Sequence, residues 1–244
     1  MAVYDGGRNV YGYTVGVLML QTQFPRIPGD IGNASTWPFP VLYRIVDGAT
    51  PTRVVEEADP ALVRPFAEAG RELVEAGCRV VTTSCGFLAI FQQELAREVP
   101  APVAASALLQ VPMVARLLSP GQKVGILTAR SHALTERHFN GVGWSTEDTP
   151  VVVAGMEDEP AWQASVGRNQ PSLDQPAVEA AVVRKVTAMV DREPDIGAFV
   201  LECTNLPPYA AAVQGATNRP VFDIVTLVTM LAGAAGRTDY AGSM

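Results

Sequence analysis

The strongest constraint on this chain is an alternation of short apolar runs and longer helical patterns, and the chain carries that alternation twice. Residues 14–20 (TVGVLML), 41–46 (VLYRIV), 79–83 (RVVTT) and 102–106 predict strands, as do 123–128 (KVGILT), 150–154, 197–201 and 221–224. Helical spacing covers 61–76, 86–97, 108–118, 131–140, 177–192, 207–215 and 225–236, while 157–174 reads as polar and irregular. Strands that alternate with helices predict an α/β fold with parallel sheets covered by helices. Right-handed crossovers then place the C-terminal strand ends along one edge, where open α/β sheets bind ligands.

The two halves match in order. YTVGVLMLQT at 13–22 is similar to QKVGILTARS at 122–131, with Gly16 answering Gly125. CRVVTTSCGF at 78–87 answers IGAFVLECTN at 196–205, each an apolar strand that ends in a cysteine before a helix. Cys85 lies 17 residues before Pro102 and Cys203 lies 17 before Pro220, and both prolines open short strands. The pattern predicts two similar parallel-sheet lobes related by a pseudo-twofold axis, with the active site in the interlobe cleft. The expected division assigns 1–118 plus 218–244 to the first lobe and 119–217 to the second.

Composition narrows the function classes. Of 244 residues, 48% are apolar and 18% charged, enough to build a large core. The net charge of −7 disfavours phosphate backbones, so no nucleic-acid partner is expected. The only lysines are Lys123 and Lys185, which leaves two attachment points for a pyridoxal Schiff base. Gly16 and Gly125 do not form a dinucleotide fingerprint. The two histidines, His132 and His138, are six apart, not at the spacing of a helical zinc pair. No cofactor and no metal are expected. The longest uncharged stretches contain Pro and Gln and do not read as membrane spans, and the N-terminus lacks a secretory apolar core. Three cysteines are too few for a disulfide scaffold, so a reducing, cytoplasmic setting is expected.

Cys85 and Cys203 are the candidate catalytic residues. Each stands between a strand and a helix start, a position exposed at the sheet edge where unsatisfied N–H groups favour a thiolate. The same N–H groups suit a substrate carboxylate. Related by a pseudo-twofold axis, the thiols would face each other across the cleft. One removes a proton from carbon and the other returns one on the opposite face. Cys78 opens its strand, has Ile196 as its counterpart and reads as core filler.

TTSCGF (82–87) and LECTNLPPY (201–209), with VGVLML and KVGILT as lobe-opening strands, resemble the cysteine motifs of the aspartate/glutamate/hydantoin racemase superfamily over residues 14–236. The resemblance implies a cofactor-independent racemase or epimerase that inverts the α-carbon of a small carboxylate, an amino acid or hydantoin-like compound, by two-thiol acid/base proton transfer. It also implies a homo-oligomer, a dimer or larger. Arylmalonate decarboxylases of this group keep one cysteine, so retention of both favours racemisation; maleate isomerases keep two and stay open. A non-catalytic module that captures a small anion is the alternative from another class.

In the resemblance Thr204 binds the substrate carboxylate, although a helix cap explains it too. Gly86-Phe87 stand where many amino-acid racemases carry Asn-Thr, and Asn205 where they carry His or Glu. These departures bear on the substrate, not on the thiol chemistry. Thr83 and Ser84 offer hydroxyls, and Gly86 and Asn205 complete the expected substrate contacts. The loop at 21–40 holds four prolines and is longer than ordinary connections. It reads either as a lid that carries Gln21, Arg26, Asp30 and Asn33 towards the substrate, or as a structured surface loop or oligomer contact. Asp223 reads as an orienting group or as an N-cap, and the histidines as solvated or packed.

Overall fold

A computed structural model describes Val3 and residues 6–242. The strands are β1 (Val15–Met19), β2 (Val41–Ile45), β3 (Val80–Thr83), β4 (Val103–Ala104), β5 (Lys123–Thr128), β6 (Val151–Gly155), β7 (Ile196–Leu201) and β8 (Val221–Phe222). The α-helices are α1 (Val63–Glu75), α2 (Gln92–Glu98), α3 (Val111–Leu117), α4 (Glu136–Gly141), α5 (Pro160–Gln163), α6 (Gln175–Arg192), α7 (Ala210–Thr217) and α8 (Ile224–Ala235). All eight expected strands form. Several expected helices begin as 3-10 turns, among them Gly86–Phe91 ahead of α2 and Ala107–Gln110 ahead of α3.

The strands make two four-stranded parallel sheets with the same order, β2-β1-β3-β4 and β6-β5-β7-β8. The fold is α/β, and the topology of one sheet repeats in the other. Equivalent ladder ends match as well: the Ser84 N–H donates to the Leu18 carbonyl and the Glu202 N–H to the Leu127 carbonyl, both at 2.8 Å. The stretch from 218, expected whole in the first lobe, has its strand and its helix divided between the two. β8 pairs with β7 in the second sheet, as β4 pairs with β3 in the first. α8 instead buries Ile224, Leu227, Val228 and Ala232 in the first lobe's core.

That core crosses the lobe boundary. Successive strand side chains point to opposite faces, so on β5 and β7 Val124, Ile126, Ala198 and Val200 join the first core. Their neighbours Leu127, Phe199 and Leu201 pack under α6 with Val182, Val186 and Met189. One face of the second sheet therefore helps to hold the lobes together. Cys78 is buried in the first core, as expected of core filler.

The paired glycines of the repeat have a packing reason. A Cβ on Gly125 would lie 2.7 Å from the ring of Phe199, its partner across the ladder, and one on Gly16 would lie 2.9 Å from Leu73 of α1. Neither neighbour has room to retreat, since both are buried. Gly125→Ala is expected to cost about 1–3 kcal/mol by overpacking. Urea unfolding would show a lower midpoint with an unchanged slope; an unchanged midpoint would contradict this packing argument.

Candidate active site

Each candidate cysteine follows a wholly buried strand: β3 leads through Ser84 to Cys85, and β7 through Glu202 to Cys203. The two cysteines line one cavity between the lobes, of about 70 Å3. A water needs roughly 10–15 Å3 measured this way, so the space holds a few waters or one small organic molecule. Leu20, Phe24, Phe87 and Trp162 supply apolar wall. Across the mouth, Arg130 of the second lobe pairs with Glu56 of the first at 2.8 Å and donates to the Gly167 carbonyl.

Ser84, Gly86, Thr204, Asn205 and Arg26 line this cavity with the cysteines. The Thr204 hydroxyl donates to the Ser84 carbonyl of the other lobe at 2.6 Å, and the Ser84 hydroxyl accepts the Leu20 N–H at 2.8 Å. The Asn205 amide donates to Asp30 at 2.7 Å, which turns its oxygen towards Cys203; the thiol donates to that oxygen at 3.5 Å. Asp30 also accepts from Arg26 at 2.8 Å, and Arg26 lies over the Phe24 ring at 4.8 Å.

Other expected contacts are corrected. Thr83 is fully buried outside the cavity lining, and its hydroxyl donates to the Ala105 carbonyl at 2.7 Å. Asn33 caps a 3-10 turn by accepting the Ser35 N–H and donates to the Arg26 carbonyl, so it supports the loop rather than the cavity. Gln21 lies in the outer groove, where its side chain accepts the Gly48 N–H. The 21–40 loop is a structured loop that also lends residues to the cavity lining. Phe24 and Arg26 line the cavity, and the loop is pinned by buried Asp30 and Ile31. Gly29, at φ +99°, has no room for a Cβ, which would meet the Pro208 Cα of the second lobe at 2.7 Å. Asp223 is an N-cap that accepts the Thr226 N–H. His138 is packed edge-on to Phe87, and His132 is exposed.

The thiols are not the exposed, acidified groups that the sequence suggests. Cys85 is half-buried and Cys203 buried. Burial first, then the Glu202 charge, pushes Cys85 up to about 12, against the Phe87 N–H and the Arg26 charge. Cys203 is also raised well above the ordinary thiol range, by burial, then Glu202, with Cys85 and Asp30 adding to it. The turn N-termini do donate N–H groups to the sulfurs, but desolvation outweighs them. Among the described residues, no group of His, Cys, Asp or Glu side chains is arranged to hold a metal ion, and no helix is long and apolar enough to cross a membrane.

Glu202, unread at the sequence level, is fully buried. Its Oε2 accepts the Thr128 hydroxyl at 2.6 Å, while its Oε1 is buried with no hydrogen-bond partner. Burial raises its pKa to about 7, against the Thr128 bond. The signal was a lone carboxylate closing the apolar run GAFVLE. Trp162, Phe24, Glu56 and Arg130 were also missed, since long-range folding alone gathers them. The folded carboxyl holds its proton from the ordinary carboxylate range up to about 7, where the unfolded chain does not. Stability contributed by this group therefore falls as pH rises through that window, by a total on the order of 3 kcal/mol. Glu202→Gln is expected to melt higher than the parent at pH 8 and alike near pH 4.5; equal melting at both pH values would refute the buried carboxylate.

The sequence is similar to a dimethylsulfoniopropionate lyase of Durusdinium sp. clade D, 32% identical over 225 residues that span 89% of this chain and 73% of the relative. Dimethylsulfoniopropionate lyase 7 of Emiliania huxleyi is 30% identical over 87% of this chain and 64% of its own length; its lyase 3 is 32% identical over 87% and 57%. The chain thus spans only part of these longer relatives. No family model matches it. Among solved structures, a glycine-to-cysteine variant of arylmalonate decarboxylase superposes with a TM-score of 0.62 at 18% identity, over 93% of this chain and 95% of that one. The aspartate racemase of Picrophilus torridus gives 0.59 at 15%, over 94% and 96%. At these identities the structures speak for the fold: that of the aspartate/glutamate/hydantoin racemase superfamily.

Proposed function

We propose a function on the premise that the chain belongs to the dimethylsulfoniopropionate lyase family, with the racemase-superfamily fold: it is an enzyme that removes an α-proton from a small β-sulfonium carboxylate and expels the neutral sulfide. The racemase expected from the cysteine motifs shares the first half of this reaction, thiol removal of a proton next to a carboxylate. The second half differs. A substrate with a leaving group on the β-carbon loses it before a proton returns.

The observation that carries the reading is two raised thiols on the walls of one small cavity. A thiol held near 12 is a poor base until positive charge arrives. The arginines lining the cavity are engaged, Arg26 by Asp30 and Arg130 by Glu56. A sulfonium ion brings its own positive charge, so binding it lowers the thiol pKa where the base is needed. Trp162, Phe24 and Phe87 offer aromatic surface of the kind that attracts such cations. The backbone N–H groups that follow the two cysteines receive the carboxylate.

The roles divide. Cys85 has Arg26 and the Phe87 N–H on the thiolate side and takes the α-proton. Cys203 has the matching Asn205 N–H but no arginine; its thiol donates to the Asn205 side-chain oxygen and feels the Asp30 charge, both of which favour the neutral thiol, so it stays protonated. The Cα–H electron pair becomes the Cα=Cβ bond, and the Cβ–S pair leaves with dimethyl sulfide, giving acrylate and one surplus proton.

The test is dimethyl sulfide release from dimethylsulfoniopropionate, together with α-hydrogen exchange in deuterated solvent. Cys85→Ser is expected to lower kcat by about 10²–10⁴-fold, and Cys203→Ser by less. Equal losses in both, with α-exchange or inversion of small carboxylates and no sulfide released, would instead identify a two-base racemase.

A further inference from the structure

We propose that Glu202 takes the proton from the Cys85 thiol and holds it while the thiolate works. This rests on the elimination reading. The observation is geometric. Glu202 follows β7 in the place that Ser84 holds after β3, yet the two positions are not equivalent in chemistry. In the first lobe the position holds a hydroxyl spent on the Leu20 N–H. In the second it holds a carboxyl, and the strand alongside ends in Thr128, which donates to it, where β1 ends in Met19.

The carboxyl reaches across the lobe boundary. A Cβ on Gly86 would overlap both Glu202 Oε1 and the Glu202 main-chain carbonyl, so the residue after Cys85 is glycine because Glu202, backbone and carboxyl together, fills the space of its side chain. Gly86 therefore has a role beyond the substrate contact expected of it. Oε1 is the oxygen left buried without a partner. Glu202 does not line the cavity; it lies behind the wall that carries the thiols, and its charge is felt at both of them. The other charged groups nearby, Arg26 and Asp30, pair with each other.

The proton balance gives this carboxyl a task. A racemase returns a proton to carbon and has none to spare. The elimination converts a zwitterion into a neutral sulfide, an acrylate anion and one free proton. At rest the Cys85 thiol and Glu202 Oε1 make no hydrogen bond; when the Cys85 side chain turns to the carboxyl, its thiol proton passes to Oε1 and the thiolate forms. The thiolate then takes the α-proton and becomes a thiol again as the sulfide departs. The surplus proton rests on Glu202 until products leave and water enters the cavity. Because Glu202 acts through the thiol, it should govern turnover more than binding.

The experiment measures dimethyl sulfide release against pH for the full-length parent, Glu202→Gln and Thr128→Val. In the parent, kcat is expected to fall about tenfold per pH unit below about 7, as the carboxylate becomes protonated. Glu202→Gln should lose about 10²-fold in kcat, with little change in KM, and lose that acid limb. Thr128→Val removes a hydrogen bond that favours the carboxylate, so its acid limb should move to higher pH with both thiols intact; this variant decides the matter if Glu202→Gln does not fold. A parent that releases no sulfide would overturn the elimination reading and this proposal with it. An active parent whose kcat and acid limb survive both substitutions would overturn the role of Glu202 alone.

Discussion

One hydrogen bond ties the two strand ends face to face: the Thr204 hydroxyl of the second lobe donates to the Ser84 carbonyl of the first at 2.6 Å. Each of these residues is next to a cysteine, so the bond brings both cysteines to the lining of the same cavity. Around it run the Asn205–Asp30 bond, the approach of Gly29 to Pro208 and the shared core of Ile126, Val200 and Leu108. The seam is buried, which makes its polar bonds costly to break.

The frame is symmetric and the chemistry is not. Both sheets have the same strand order, and both present a cysteine after the third strand of their half. The differences lie in what stands next to each sulfur. Cys203 gives its hydrogen bond to an asparagine fixed by Asp30, whereas Cys85 is followed by a glycine that leaves space for a carboxyl from the other lobe. A duplicated fold suits two equal bases, as racemisation requires. In the proposed elimination, the unequal surroundings would let one thiol serve as the base while the other stays neutral.

Much of this was legible in the sequence. Each cysteine closes an apolar strand, and the equal spacing to Pro102 and Pro220 marks β4 and β8 as counterparts. The same spacing argues against assigning β8 to the first lobe, because a counterpart of β4 must pair with β7. Thr83 and Asn33 misled because a hydroxyl or amide near a motif reads as a ligand until its partner is known, and here the partners are Ala105, Ser35 and Arg26. The thiol pKa direction was misjudged because turn dipoles are visible in a sequence and desolvation is not. Trp162 arrives from a stretch without periodicity, and only the fold brings it to the cavity.

The most direct test of the account is a crystal structure with a saturated, unreactive carboxylate analogue that carries a sulfonium group. The account predicts the analogue between the lobes, its α-carbon about 3.5 Å from Cys85 Sγ, its sulfonium against Trp162, Phe24 and Phe87, and Cys203 on the far side. An analogue bound outside this cavity, or one whose α-carbon is screened from Cys85 by packed side chains, would contradict it.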